Sequence, residues 1–167
     1  MPLALGIDPG TATTGYGLVR MEADGSLVAV KYGVILTPKD MSAPARLEML
    51  YDQLRALLDE YHPEMAAVEK LFFQRNVTTA IAVGQARGVV MLALQQSGIN
   101  PYEYTPNEIK QAVAGYGSAQ KRQVQEMVRA LLLLDSIPRP DDAADALAVA
   151  ITHLNTKRYD ESTDERR

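Results

Sequence analysis

The sequence predicts an α/β protein whose mixed five-stranded sheet, three antiparallel strands followed by two parallel ones, is flanked by helices. Three observations predict it. Residues 3–35 alternate between apolar runs and turn residues, which is typical of a strand meander. Beyond residue 42, strand and helix patterns alternate. Since helices link the later strands, those strands should run parallel to the first.

The meander begins with Leu3–Asp8, a buried strand that Pro9-Gly10 turns. Gly15–Arg20 and Ser26–Ile35 follow as further strands. Ala23-Asp24-Gly25 between them is a hairpin-type turn.

The middle of the chain contains two helices and two short strands. Ser42 is the expected N-cap of the first helix, and His62-Pro63 should end it. Met65–Glu69 then forms a buried strand. Asn76–Gln96 is a long helix that is apolar around most of its circumference, and Tyr102–Tyr104 is the last strand.

Three helices follow the last strand. Thr105-Pro106-Asn107-Glu108 has the capping-box pattern, with proline at the first helical position. Ser118 is the expected cap of a helix over Ala119–Leu134, and the last helix covers Ala143–Leu154.

Length and composition set the broad class. The 167 residues are 47% hydrophobic, which fits one globular domain over residues 1–155, and residues 156–167 form a polar tail that we expect to be disordered. There is no cysteine, so metal ligands must be oxygen or nitrogen atoms. No signal peptide and no run of about 18 apolar residues is found. We therefore expect a cytoplasmic protein without a membrane span.

The charge distribution permits DNA binding without proving it. The net charge is −4, but residues 70–139 contain eight basic and four acidic side chains. This segment is therefore +4 and the remainder is −8. An ordinary mixed surface would also explain the pattern.

Four acidic residues form the candidate site. Asp8 and Glu69 close parallel strands, so both should lie at the same carboxyl edge of the sheet. Asp142 and Asp145 are three residues apart and share one side of a helix. Two like charges about 4 Å apart repel by roughly 4 kcal/mol at an effective dielectric near 20. If the four carboxylates meet, the site needs divalent metal, which is typical of metal-dependent phosphoryl chemistry.

Each acid has a structural alternative. Asp8 could be a turn residue, and Asp141 or Asp142 could cap the last helix. Asp145 inside a helix and Glu69 at the end of an apolar strand are harder to explain in this way. The joint occurrence of the four carries the prediction.

Several motifs together resemble RuvC-type Holliday junction resolvases. They occur in the family's order between residues 3 and 154. They are Gly6-Ile7-Asp8-Pro9-Gly10 with Thr14-Gly15-Tyr16-Gly17, Val68-Glu69-Lys70-Leu71-Phe72, Gly84-Gln85-Ala86-Arg87-Gly88, Gly115-Tyr116-Gly117-Ser118-Ala119-Gln120-Lys121, and Asp142-Ala143-Ala144-Asp145-Ala146-Leu147.

The resemblance implies an RNase H-like fold and a structure-specific endodeoxyribonuclease of recombination and DNA repair. In this family Asp8, Glu69, Asp142 and Asp145 would bind two Mg²⁺ ions, for which Mn²⁺ can substitute. Phosphodiester hydrolysis would then give paired symmetric nicks with 5′-phosphate and 3′-hydroxyl ends. The spacing to Asp145 favours Asp142 over Asp141 as the ligand.

The resemblance also implies DNA contacts. Lys110 and Lys121 match basic positions near the scissile phosphate, and Phe72 matches an aromatic residue that stacks on unpaired bases. Phe72 could instead be a core residue. Arg75 and Arg122 are candidate phosphate contacts or ordinary surface charges.

The implied partners are four-way junction DNA, a second copy of the chain and the RuvA–RuvB branch-migration complex. Two matched nicks need two sites, which a two-fold dimer supplies. The helix Asn76–Gln96 is the candidate interface, with Gly84 and Gly88 allowing close approach, although it could instead be a central helix of one subunit. The apolar residues in excess of one face are Val77, Ile81, Val83, Val90, Leu92 and Leu94.

Three other functions are compatible with parts of the pattern. Another RNase H-like nuclease would act on RNA–DNA hybrid or structured RNA. A non-catalytic junction-binding module would tolerate the loss of Glu69 or Asp145. Actin-like ATPases share a similar first loop at Asp8-Pro9-Gly10-Thr11, but they need two lobes and this length supplies one.

Overall fold

The computed structural model describes residues 1–10, 12–70 and 76–164 and contains a five-stranded sheet. The strands are β1 (Leu3–Asp8), β2 (Thr13–Met21), β3 (Leu27–Leu36), β4 (Met65–Glu69) and β5 (Tyr102–Tyr104). Their order is β3-β2-β1-β4-β5. β1, β2 and β3 pair antiparallel, and β4 runs parallel to both β1 and β5. The predicted mixed sheet is confirmed.

In the described ranges five helices accompany the sheet, and the predicted caps are present on two of them. The helices are α1 (Ala43–Tyr61), α2 (Val77–Gln96), α3 (Pro106–Ala114), α4 (Lys121–Leu131) and α5 (Asp141–Asp164). The Ser42 hydroxyl accepts a hydrogen bond from the Ala45 N–H at 3.3 Å, and His62 ends α1 in the left-handed conformation. Thr105 and Glu108 form the capping box of α3.

Strand alternation divides the core between the two faces of the sheet. Ala4 and Ala67 face a cluster with residues of α3, α4 and α5. Leu5, Ile7 and Val68 face a second cluster with α1 and α2. The predicted faces of β1 and β4 are therefore confirmed, and Asp8 and Glu69 belong to the face that α5 covers.

Two glycines allow α5 to pack directly on the sheet backbone. A Cβ atom on Gly6 would lie 2.0 Å from the backbone oxygen of Ala146. A Cβ on Gly15 would lie 2.0 Å from the backbone oxygen of Asp142. Only residues without a side chain fit this spacing. The helix α5 therefore begins directly above the end of β1 and the start of β2.

The bounds of the last two helices differ from the predicted bounds. α4 begins at Lys121 with Gln120 as its N-cap, not after Ser118, because a turn continues to Ala119, whose N–H donates to the Tyr116 oxygen. α5 begins at Asp141.

The last helix extends beyond its predicted end at Leu154: α5 is helical to Asp164, where a disordered tail over 156–167 was predicted. The extended part of the helix contacts β5. Lys157 lies over the Tyr102 ring, 4.6 Å from its centroid, and its ammonium donates to the Tyr102 hydroxyl at 3.1 Å.

The helix α2 has two apolar faces. One face packs on the sheet through Ala86, Val90 and Leu94. Val90 and Leu94, expected among the interface residues, are therefore in the protein's own core. On the other side Ile81 and Leu92 are exposed.

Among the described residues, α2 is the one helix long and apolar enough to cross a membrane by length and composition. Its mean hydropathy is 1.5, and 22% of it is buried. The helix is weak evidence for a membrane, because core helices pass the same test.

Candidate active site

Three of the four predicted acids meet at the carboxyl end of β1. Carboxylate oxygens of Asp8, Asp142 and Asp145 all lie within 4.8 Å of one another. Asp8 is the last residue of β1, and the two other acids lie in the first two turns of α5. Glu69 ends the neighbouring parallel strand, and its carboxylate hydrogen-bonds with that of Asp8. The structure thus brings all four acids to one edge of the sheet.

The electrostatics show that the cluster holds more negative charge than the protein neutralises. Burial and then the charges of Glu69 and Asp145 raise the pKa of Asp8 to about 9. Burial also raises the pKa of Glu69, although the hydrogen bond from Asp8 and the charge of Lys121 oppose this. Burial and neighbouring carboxylates raise the pKa of Asp145 to about 6 against the opposing charge of Lys121. At pH 7 the Asp8 carboxyl therefore keeps its proton, and a bound cation would favour its ionised form.

The donor set fits a hard divalent cation. Every atom that converges is a carboxylate oxygen, the ligand that Mg²⁺ and Mn²⁺ prefer. The raised pKa values of Asp8 and Asp145 indicate that bound metal would displace protons and relieve the repulsion.

Basic side chains border the cluster on its α3 and α4 side. Lys110 and Lys121 line a cleft of about 260 Å³ together with Glu69 and Asp145. The Lys121 ammonium lies 3.9 Å from an Asp145 carboxylate oxygen. This cleft can accept an anionic group beside the acids.

Asp141 does not belong to the acidic cluster within the described part of the chain. Its carboxylate points to basic and amide groups instead: Lys121 Nζ lies at 3.3 Å, Gln125 Nε2 at 3.3 Å and Arg139 Nη1 at 4.0 Å. The geometry therefore favours Asp142 over Asp141, as the spacing in the sequence does.

The other predicted DNA contacts divide into two groups. Arg122 is next to Lys121 in sequence, but its side chain is 76% exposed and pairs with Glu126 at 3.7 Å. It is not among the described residues that line the cleft. Phe72 and Arg75 lie outside the described residues.

Arg87 contacts the backbone of Glu69, although no role was predicted for it. Its guanidinium donates to the backbone oxygen of Glu69 and to the carboxylate of Glu103. The signal in the sequence was that Arg87 is the one charged residue in α2.

A buried hydrogen bond ties β5 to α5 below the acids. The Tyr104 hydroxyl and His153 Nδ1 are 2.8 Å apart. Burial lowers the pKa of His153 to about 4, so the ring is neutral at pH 7. This contact helps to fix the distance between the sheet edge and the helix that carries Asp142 and Asp145.

Comparison with known proteins places the chain in a family. Residues 4–153 match the family model described as crossover junction endodeoxyribonuclease RuvC. The curated protein of that name from Roseiflexus sp. (strain RS-1) is 60% identical over 149 residues, covering 89% of this chain and 88% of that protein. The protein of the same name from Chloroflexus aggregans is 60% identical over 153 residues, covering 92% and 93%.

A solved structure agrees in fold. It is Thermus thermophilus RuvC in complex with a Holliday junction substrate, with a TM-score of 0.87 and 35% identity over 94% of this chain and 96% of that one. Together with the sheet order and the acidic cluster, these matches give the chain an RNase H-like fold. The chain belongs to the crossover junction endodeoxyribonuclease RuvC family.

Proposed function

We propose that this protein resolves Holliday junctions by paired symmetric nicks. The observation that carries the proposal is the convergence of Asp8, Asp142 and Asp145, with Glu69 hydrogen-bonded to Asp8, beside a cleft lined by Lys121. The T. thermophilus relative whose fold matches was solved in complex with a Holliday junction substrate, which supports the same substrate here.

Asp8, Glu69, Asp142 and Asp145 are the proposed ligands of two Mg²⁺ ions, for which Mn²⁺ can substitute. Such a pair of ions supplies activation of the attacking water and stabilisation of the leaving oxygen in an in-line displacement. The four carboxylates fix the place where hydrolysis occurs, because two of them end strands and two lie on the helix packed against those strands. The products carry 5′-phosphate and 3′-hydroxyl ends.

Lys110 and Lys121 bind the DNA backbone beside the acids. Both line the cleft that Glu69 and Asp145 border, so a phosphate there would have their ammonium groups within reach. Their positive charge offsets the repulsion between the phosphate and the carboxylates. Phe72 remains a proposed DNA contact on the resemblance alone, and Arg75 and Arg122 remain candidate phosphate contacts.

The protein acts as a homodimer through α2. Val77, Ile81 and Leu92 are 70%, 58% and 53% exposed, which is high for large apolar side chains on one helix. Gly84 and Gly88 lie on the same stripe, and a Cβ on either would meet nothing within 4 Å. A second helix could therefore approach closely along this stripe, giving two equivalent active sites for two strands.

Three further expectations belong to this proposal. A single nuclease domain covers residues 1–155. The RuvA–RuvB motor supplies branch migration. The protein works in the cytoplasm.

A synthetic four-way junction tests the proposal. We expect the protein to make paired symmetric nicks in Mg²⁺ and to leave a linear duplex of the same sequence uncut. Asp142→Asn should bind the junction without cutting it. Asp141→Asn is the matched control and should retain cleavage, because Asp141 contacts Lys121 and not the acidic cluster.

Other outcomes would count against the proposal. Preferential cleavage of RNA–DNA hybrid would favour another RNase H-like nuclease. Binding without cleavage by the unmodified protein in both Mg²⁺ and Mn²⁺ would favour a junction-binding module. Cleavage by Asp142→Asn at the normal rate would refute the proposed metal site, which needs the Asp142 carboxylate.

A further inference from the structure

We propose that Arg87 is a positioning residue for Glu69, whose carboxylate it orients by holding the backbone oxygen of that residue from the opposite face of the sheet. The inference rests on the proposed function, because it takes Glu69 as a metal ligand. Arg87 is not among the described residues that line the cleft, and its contact with Glu69 is to the backbone oxygen and not to the carboxylate. It therefore acts through the backbone.

The strand ladder explains why the Glu69 oxygen needs a donor from elsewhere. The Lys70 N–H donates to the Tyr104 oxygen at 2.7 Å, so the backbone of residue 70 faces β5. The C=O of one residue and the N–H of the next point to opposite neighbouring strands. The Glu69 oxygen therefore points to β1.

On that side β1 cannot donate. Parallel pairing aligns Gly6 with Ala67 and Ile7 with Val68, so the donor next in line for the Glu69 oxygen is the nitrogen of Pro9. Proline has no N–H. The Arg87 guanidinium donates to this oxygen in its place.

The environment of Arg87 makes this contact directional. Its side chain is 13% exposed, and its other terminal nitrogen donates to the Glu103 carboxylate on β5. A planar guanidinium with two fixed donors holds both partners at once, which a lysine ammonium cannot do with the same geometry. The end of β4 is thus tied to α2 and to β5 together.

The contact matters for the metal site because Glu69 is the last residue of β4. Its side chain lies on the α5 side of the sheet, with Ala67, whereas Arg87 approaches from the α2 side. Without the Arg87 contact the final peptide of β4 has no partner on the β1 side, and the Glu69 carboxylate can turn away from Asp8. Groups that orient metal ligands commonly change metal affinity by 10- to 100-fold.

Mn²⁺ binding to the full-length protein without DNA tests the inference. Isothermal titration calorimetry would compare the unmodified protein with Arg87→Gln, Arg87→Lys and Arg55→Gln. Arg55 is the matched control, since it donates to the Ser97 hydroxyl at 3.0 Å and joins α1 to the end of α2 away from the acids. We expect Arg87→Gln to bind Mn²⁺ about tenfold more weakly or worse, Arg87→Lys to recover part of the loss, and Arg55→Gln to stay within about twofold.

The Mg²⁺ dependence of cleavage is a second readout. Arg87→Gln should raise the Mg²⁺ concentration for half-maximal cleavage, and its affinity for the junction in EDTA should not change. A purely structural role would lower junction binding and metal binding in parallel with the folded fraction, which circular dichroism measures.

The outcomes separate this inference from the proposed function. Folded Arg87→Gln protein with normal Mn²⁺ affinity would overturn the inference and leave the nuclease proposal standing. If Arg87→Gln does not fold, Arg87→Lys decides, because it keeps the positive charge and loses the two fixed donors. Normal Mn²⁺ affinity in folded Arg87→Lys would then overturn the inference. Unmodified protein that binds Mn²⁺ but cuts no junction would instead overturn the proposed function.

Discussion

The backbone oxygen of Asp142 lies 2.0 Å from the place that a Cβ atom on Gly15 would occupy. Gly15 pairs with Asp8 across the β1–β2 ladder, so the start of α5 rests on the strand pair that carries Asp8. The distance between Asp8 and Asp142 is therefore set by direct contact between helix and sheet backbones. It depends on one position in the chain having no side chain.

Replacing Gly15 with alanine should separate the acids. The new methyl group must push the first turn of α5 away from β2, so we expect weaker Mn²⁺ binding and slower junction cleavage. Overpacking of this kind costs about 1–3 kcal/mol of the free energy of unfolding. Calorimetry and urea denaturation would measure the two effects.

Gly117→Ala is the control for that substitution. A Cβ on Gly117 would make only ordinary contacts at 3.9–4.0 Å, so Mn²⁺ affinity and stability should change little. Equal losses in the two variants would show that the close approach at Gly15 is not what positions Asp142.

The stability of the metal-free protein should fall between pH 7 and pH 9. The pKa of Asp8 is about 9 in the folded protein against an ordinary value of 3.8, so the folded state keeps a proton that the unfolded chain has released. This contribution is complete below the ordinary pKa and is lost as the pH rises through 9. We expect the free energy of unfolding to fall by on the order of 1 kcal/mol per pH unit, measured by urea denaturation in EDTA.

Two controls accompany the pH series. Asp8→Asn carries no titrating group at this position, so its stability should vary less between pH 7 and pH 9. Saturating Mg²⁺ should also flatten the dependence, because the cation replaces the proton. A slope that is the same in Asp8→Asn and in the unmodified protein would refute the assignment to Asp8.

Replacing Lys121 should slow cleavage more than replacing its neighbour Arg122. Lys121 lines the cleft, so Lys121→Gln should slow single-turnover cleavage by about tenfold or more, which corresponds to about 1.4 kcal/mol. Arg122 is paired with Glu126 at the surface, so Arg122→Gln should stay within about twofold. Rates measured with saturating protein on a labelled junction would check this, and equal losses would contradict the placement of the cleft.

Ile81→Asp should convert the proposed dimer into monomers. A carboxylate in the exposed apolar stripe of α2 would have to be buried without a partner on association. Analytical ultracentrifugation would measure the mass in solution. Leu133→Asp is the matched control, because Leu133 is 85% exposed and lies after α4; a monomer in both variants, or a dimer in both, would argue against α2 as the interface.

Patterns along the chain were enough to predict the strands, most helix ends and the four acids of the candidate site. Alternation put Asp8 and Glu69 on one face of their strands, and Ser42, His62 and Thr105 marked helix ends, because these features depend on neighbours in the chain. Local patterns fixed the bounds of α4 and α5 less well. The N-cap of α4 is Gln120 and not Ser118, because a turn continues through Ala119. The helix α5 extends past Leu154, where it contacts β5.

The contacts of each charged residue near the site depend on how distant elements pack together. Asp141 and Asp142 are adjacent, yet helical rotation directs one to Lys121 and the other to Asp8 and Asp145. Arg87 is the one charged residue of α2, and its contact follows from the strand register, which leaves the Glu69 oxygen without a donor from Pro9. Partners that are distant along the chain are set by the packing of whole elements, and spacing within one element cannot specify them.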